Sequence, residues 1–150
     1  MSQHSFSHRS EIRAPIEIVF DLVTDHERFH EWTIASRSER ATIGQGHPNG
    51  VGAVRRIGTF PMFVNEEIFQ YDPPTRTAYK IGSLPGVEQY ESRQLLTALD
   101  ESRTYLEWTS TFETRTVFGA AVAHGLSFAV SDLVGRVART APTWIPASTR

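Results

Sequence analysis

Three groups of residues in this 150-residue chain have types and spacing that could do chemistry. The first is His26-Glu27-Arg28-Phe29-His30, a literal H-E-x-x-H. On an α-helix this spacing sets two imidazoles on one face, with a glutamate placed to act as base on a zinc-bound water. A zincin, however, carries the motif deep in a long helix with a third ligand downstream. Here Thr33 and Ser36 stand where the metzincin continuation has glycine and histidine. The segment is short, polar and punctuated by Asp25, so His26, Glu27 and His30 read as a coincidental match on a surface turn, and no metal is expected. His4, His8, His47 and His124 have no ligand spacing.

The second group is Arg55 with Glu66. Ala53, Arg55, Ile57 and Thr59 share one strand phase, and Val64, Glu66 and Ile68 share another. Folding the chain back near Phe60-Pro61 brings Arg55 opposite Glu66, within salt-bridge reach. An outward pair would contribute little. Ile57, Val64 and Ile68 lie on the same side, which favours an inward one. The third group is Ser92, Gln94 and Ser110. Strand alternation sets Tyr90, Ser92, Gln94, Leu96 and Ala98 on the same side as Leu106, Trp108 and Phe112 of the next strand. A turn centred on Ser102 puts Leu96 opposite Trp108 and Gln94 opposite Ser110. Three polar groups there would be costly in a dry core and tolerable in a cavity holding water or a ligand.

The elements that position these groups follow from periodicity. Phe6, His8, Ser10 and Ile12 alternate with polar residues in a first strand that ends at Ala14-Pro15. Pro15 opens a short helix with Ile16, Val19, Phe20, Leu22 and Val23 on its apolar face, and a second short helix follows Asp25 to about Glu31. Residues 33–42 are polar and extended, and 44–50 form a loop with no Lys-Ser/Thr after it, hence not a phosphate loop. Strands over 51–58, 62–71, 75–81, 87–99 and 104–113 alternate with tight turns, among them Asp72-Pro73-Pro74. This predicts an antiparallel meander and an α+β fold.

One long helix over 117–140 closes the order. Phe118, Val122, Leu126, Ala129, Leu133 and Val137 form its apolar stripe, opposite His124, Ser127, Ser131, Asp132 and Arg139. Thr116 suits the N-cap, Arg136 and Arg139 suit the negative end, and Pro142 stops the run. At 1.5 Å per residue it spans roughly 36 Å, enough to cross a small domain. Its first half is apolar nearly all round, more than one sheet contact needs, so it is expected to wall a cavity as well. Residues 1–140 are expected to form one domain and 141–150 a tail outside it, with Trp144 and Ile145 available to dock.

Composition narrows the function classes. A formal charge of −2 and a pI near 6.3 give no electrostatic footprint for nucleic acid. With no cysteine there is no disulfide, thiol nucleophile or thiolate metal site, which fits a reducing compartment. Met1–Arg9 has no apolar run for a signal peptide, and His124, Asp132 and Arg136 interrupt the long helix as a membrane span. A cytoplasmic location is expected.

The series of strand, two short helices, meander and long helix resembles the START/birch-pollen-allergen (SRPBCC) superfamily, and more closely the bacterial polyketide cyclase/dehydrase and lipid-transport family. The residues that carry the resemblance are Ile12-Arg13-Ala14-Pro15 leading into 19–25, Trp32, Gly50-Val51-Gly52-Ala53-Val54-Arg55-Arg56, Glu66 with Asp72-Pro73-Pro74, Tyr79, Leu84-Pro85 with Tyr90, and Leu106-Glu107-Trp108. The resemblance implies a helix-grip fold: a curved antiparallel sheet of about seven strands around the C-terminal helix, with two short helices between strands 1 and 2. It also implies that the residues matching Arg55 and Glu66 belong to a polar network in a pocket, as in related plant hormone receptors. Family members bind lipids, hormones, quinones or polyketides, so the fold alone names no function. Gln94 stands where the family usually has an apolar residue, which implies a more polar ligand.

The expected function is therefore binding or transport of a small hydrophobic molecule between sheet and helix. Ile57, Tyr79, Ile81, Tyr90 and Trp108 would wall the cavity with Phe118, Val122 and Leu126, while Arg55, Glu66 and Gln94 orient one polar end. Phe60 and Leu84, in loops matching the gate and latch of the plant receptors, are expected to flank the mouth; the bland alternative is that they plug the end of the core. A filled core without a cavity is the corresponding bland reading of the whole. A cyclase, aromatase or dehydratase is the enzymatic alternative, with Glu66 as base and Tyr90 or Arg55 polarising a carbonyl. Against it, a carboxylate beside an arginine is a poor base, and no nucleophile–base constellation appears. A protein-interaction module would need an exposed patch, for which Val117, Phe128 and Trp144 are candidates. No cofactor is expected, and the chain would be a monomer or homodimer.

Overall fold

Short turns between successive strands allow only antiparallel pairing, and the sheet is built almost entirely that way. The computed structural model describes residues 1–115 and 117–147. Strand β1 (Ser2–Ile12) leads to α1 (Ile16–Thr24) and a 3₁₀ helix (His26–Glu31). Then come β2 (Arg37–Thr42), β3 (Val54–Thr59), β4 (Met62–Asp72), β5 (Arg76–Ile81), β6 (Val87–Asp100) and β7 (Arg103–Thr114). Helix α2 (Gly119–Thr140) and a 3₁₀ turn (Ala141–Thr143) follow. The strands form one sheet in the order β1-β7-β6-β5-β4-β3-β2. The two short helices carry the chain from one edge of the sheet to the other, and α2 lies across β1 and β7. This is the expected α+β architecture, with seven strands. Among the described residues no helix is long and apolar enough to cross a membrane.

The register of β6 on β7 differs from the expected one. Leu96 pairs with Leu106, Gln94 with Trp108 and Ser92 with Ser110, a slip of two residues: the turn centres between Glu101 and Ser102 rather than on Ser102, and an irregularity between Ala98 and Asp100 adds the rest. Because the side-chain period is two, the slip preserves which residues face inward. A second irregularity between Glu88 and Glu91, with Gln89 at a φ of 51°, breaks the alternation and lets Val87 and Tyr90 both face the core.

Helix α2 starts later and is turned further than the periodicity suggested. Its buried residues are Gly119, Val130, Val134 and Val137, with Val122, Ala123, Leu126 and Leu133 packed alongside. Phe118 and Ala129, expected in the stripe, face solvent, and Phe118 is the N-cap residue. At Gly119, where the helix begins, a Cβ would collide with the Thr114 side chain at the end of β7, so the missing side chain permits this close approach to the sheet. The N-cap expected at Thr116 lies outside the described residues.

The segment after residue 140, expected outside the fold, packs against it as far as Ile145. Ala141 and Trp144 are buried. The Trp144 indole donates to Asp21 Oδ2 at 2.8 Å, and the Arg28 guanidinium stacks over its ring at 3.7 Å. Arg28 Nη1 also donates to the Ile145 carbonyl at 2.8 Å. The tail thus clamps α1 to the following 3₁₀ helix. We expect Trp144→Ala to lose about 3 kcal/mol of stability in urea unfolding. A loss below about 0.5 kcal/mol, the range of ordinary surface changes, would show the tail to be peripheral.

Candidate functional site

Strands β3 and β4 pair Arg55 directly with Glu66. Both side chains point inward and are almost wholly buried, and Arg55 Nε donates to Glu66 Oε1 at 2.6 Å. Arg55 Nη1 reaches the Val23 carbonyl near the end of α1 at 3.3 Å. Its guanidinium lies 4.0 Å from the Phe29 ring centroid and 5.0 Å from that of Tyr79. A planar, weakly hydrated cation suits such a site because it can stack on a ring and pair with a carboxylate together.

Glu66 also forms part of the wall of a cavity of about 260 Å³. The lining is almost wholly apolar. Phe29, Thr33, Ile34 and Ala35 come from the segment around the 3₁₀ helix, Ile57, Glu66, Tyr79 and Trp108 from the sheet, and Phe128, Ala129, Asp132 and Leu133 from α2. Ile34 and Phe128 are 80% and 76% exposed, which identifies the opening as the gap between the 33–35 segment and α2. Asp132 accepts from Arg136 Nε at 2.6 Å.

The candidates from sequence divide on this geometry. Ile57, Glu66, Tyr79 and Trp108 line the cavity, and Arg55 lies behind Glu66. Ile81, Leu84, Val122 and Leu126 are half-buried against the core, Tyr90 and Gln94 are buried within the sheet's inner face, and Phe118 is exposed. None of these is in the cavity wall. Phe60 is 83% exposed and borders a separate groove with His30, Arg37, Arg56 and Phe63. The β3–β4 and β5–β6 turns do share one end of the sheet, but neither Phe60 nor Leu84 borders the cavity. Missed from sequence were Phe29, Ile34, Ala35 and the lining role of Phe128 and Asp132. Ile34-Ala35, an apolar pair inside a polar stretch, was the available signal.

The polar groups on the inner face mostly satisfy one another. Tyr90 donates to Ser110 Oγ at 3.1 Å, Ser110 and Ser92 share a hydrogen bond of 2.7 Å, and Trp108 Nε1 donates to Ser92 at 2.8 Å. Burial raises the pKa of the Tyr79 and Tyr90 hydroxyls, so both stay protonated and able to donate. Gln94 is different: neither amide atom has a partner among the described residues.

The H-E-x-x-H segment is a 3₁₀ helix, in which residues four apart are about 120° apart around the axis rather than on one face. His26 is fully buried, His30 is exposed and hydrogen-bonded to Ser38, and Glu27 pairs with Arg40 at 3.3 Å. The two imidazoles do not converge. Burial, reinforced by the positive charges of Arg55 and Arg40 and by His47, lowers the pKa of His26 from 6.5 to about 2. The unfolded chain therefore takes up a proton below pH 6.5 that the folded chain refuses. Stability contributed by this group is complete above that pH and is lost as pH falls toward 2, by about 1.4 kcal/mol per unit. His26→Leu should flatten the fall of unfolding free energy between about pH 6 and 4.5 by close to one proton. An unchanged slope would contradict a neutral buried His26.

Residues 3–142 match the family model described as polyketide cyclase/dehydrase and lipid transport. No curated protein is significantly similar in sequence. Among solved structures, the Zhui aromatase/cyclase from Streptomyces sp. R1128 is 19% identical, with 98% of each chain covered and a TM-score of 0.75. Ara h 8.0201 is 18% identical, over 95% of this chain and 100% of that one, with a TM-score of 0.74. A START superfamily protein from Mycobacterium smegmatis is 13% identical, over 89% of this chain and 99% of that one, with a TM-score of 0.66. At these identities the structures speak for the fold alone. The family model spans nearly the whole chain, and the protein belongs to the polyketide cyclase/dehydrase and lipid-transport family, with the helix-grip fold of the START and birch-pollen-allergen superfamily.

Proposed function

We propose that the protein holds a small, largely apolar molecule in the cavity between the sheet, the 3₁₀ helix and the Phe128–Leu133 face of α2. The observation that carries this reading is the composition of the lining: aromatic and aliphatic walls with Glu66 as a placed polar group, already held in position by Arg55. The volume is slightly below the roughly 300–1,000 Å³ usual for ligand sites, which favours a compact ring system over a long acyl chain. Family membership supports a ligand-binding role in general.

Catalysis of the cyclase or dehydratase kind would draw on the same Glu66, since a carboxylate in an apolar wall is where a general base would sit. The 2.6 Å bond to Arg55 weakens that reading, because it already engages Glu66 Oε1, one of the two oxygens that could take a substrate proton. Binding without turnover is the better fit. A thermal-shift panel of two-ring aromatics, fatty acids and quinones tests it. A true occupant at a hundredfold excess over its Kd adds about 2.7 kcal/mol, which raises the Tm by about 5–10 °C. Ala129→Trp, at an exposed position on the cavity wall, should fill the site and remove that shift without harming the fold. No shift with any compound, or an equal shift in Ala129→Trp, would count against the proposal.

A further inference from the structure

The cavity wall is unbalanced in its hydrogen-bonding groups. It contains two carboxylates, Glu66 and Asp132, and no lysine, arginine or histidine. The arginines that pair with them approach from other directions: Arg55 holds Glu66 Oε1 and Arg136 holds Asp132 Oδ2, and neither arginine is in the wall. Two of the side-chain donors in the lining are already committed: Thr33 Oγ1 donates to the Phe29 carbonyl at 2.8 Å and Trp108 Nε1 donates to Ser92. Apart from the Tyr79 hydroxyl, the side chains of the wall therefore offer an occupant acceptor oxygen, one of them on the buried Glu66, surrounded by rings and aliphatic carbon.

A carboxylate can only accept hydrogen bonds when ionised. A ligand whose polar groups are also acceptors, such as a fatty-acid anion or a quinone, would leave Glu66 facing like dipoles or like charge against a mostly apolar wall. A hydroxyl or amine attached to a ring system has the complementary polarity, and a hydrogen bond to a charged acceptor is among the stronger ones. Resting on the binding reading above, we infer that the occupant is a compact hydroxylated or amine-bearing aromatic that donates to Glu66 Oε2, and that the cavity discriminates against carboxylic acids and quinones of the same size.

Matched two-ring probes test this on the wild-type protein. Dissociation constants would be measured by calorimetry for 2-naphthol, naphthalene, 2-naphthoate and 1,4-naphthoquinone. The expected order is naphthol at least about tenfold tighter than naphthalene, with naphthoate and the quinone weaker than naphthalene. Naphthalene binding as tightly as naphthol, or naphthoate or the quinone binding best, would overturn the inference while leaving the cavity reading intact. If none of the four binds, the binding reading fails and the inference fails with it. Glu66→Gln should shrink the naphthol–naphthalene ratio, and an unchanged ratio in a folded variant would overturn the assignment to Glu66. Because that variant leaves Arg55 buried without its anion, loss of folding is a possible outcome. Asp132→Asn, at the half-exposed second carboxylate, then separates the cases: a wild-type ratio retained there supports Glu66 as acceptor, and a collapsed ratio assigns the acceptor to Asp132 instead.

Discussion

The buried ion pair between Arg55 and Glu66 is the interaction on which the rest of the structure depends. Such a pair adds little net stability compared with well-packed apolar residues, yet breaking it strands a charge in a low-dielectric interior. It therefore acts as a constraint. A one-residue slip of β3 on β4 would turn one partner to solvent, so the pair fixes that register. Through the Val23 carbonyl it ties the sheet to the end of α1, and through Phe29 and Tyr79 it ties the 3₁₀ helix to β5. Phe29, Glu66 and Tyr79 are three of the residues that wall the cavity, so the same constraint that orders the sheet shapes the site.

Much of this was legible in the residues. Period-two alternation and the turn at Phe60-Pro61 were enough to place Arg55 opposite Glu66 on the inner face, because a hairpin with so short a connection has few registers available. The β6–β7 register was missed by two residues, since an irregularity at the turn leaves no mark in the alternation, but the inward set survived. Helix α2 shows the limit of periodicity. Its first half is apolar around most of its circumference, so several rotations satisfy the pattern, and periodicity alone does not choose between them. The chosen rotation buries Val130 and Val134 and sends Phe128 and Ala129 to the cavity mouth.

The same ambiguity explains why several of the expected site residues lie outside this cavity. Val122, Leu126, Ile81 and Leu84 have side chains equally suited to a core or a ligand wall, and only three-dimensional packing separates the two. The serines at 92 and 110 suggested a wet cavity, but Tyr90 and Trp108 supply their partners and the network is internally satisfied. Conversely, Ile34 and Ala35 contribute because they lie beside Phe128 across the fold, a proximity that no local pattern encodes. The result is a half-open, mostly apolar cavity with two carboxylates in its wall.

The most direct test of the account is where a ligand binds. Titrating isotopically labelled protein with 2-naphthol and following amide and methyl resonances by NMR reads that out residue by residue. The account predicts saturable shifts concentrated at Ala35, Ile57, Ala129 and Leu133, around the cavity. Shifts confined to the outer grooves near Gln3–Ser5 or Arg37 and Arg56, with those cavity resonances unmoved, would contradict it.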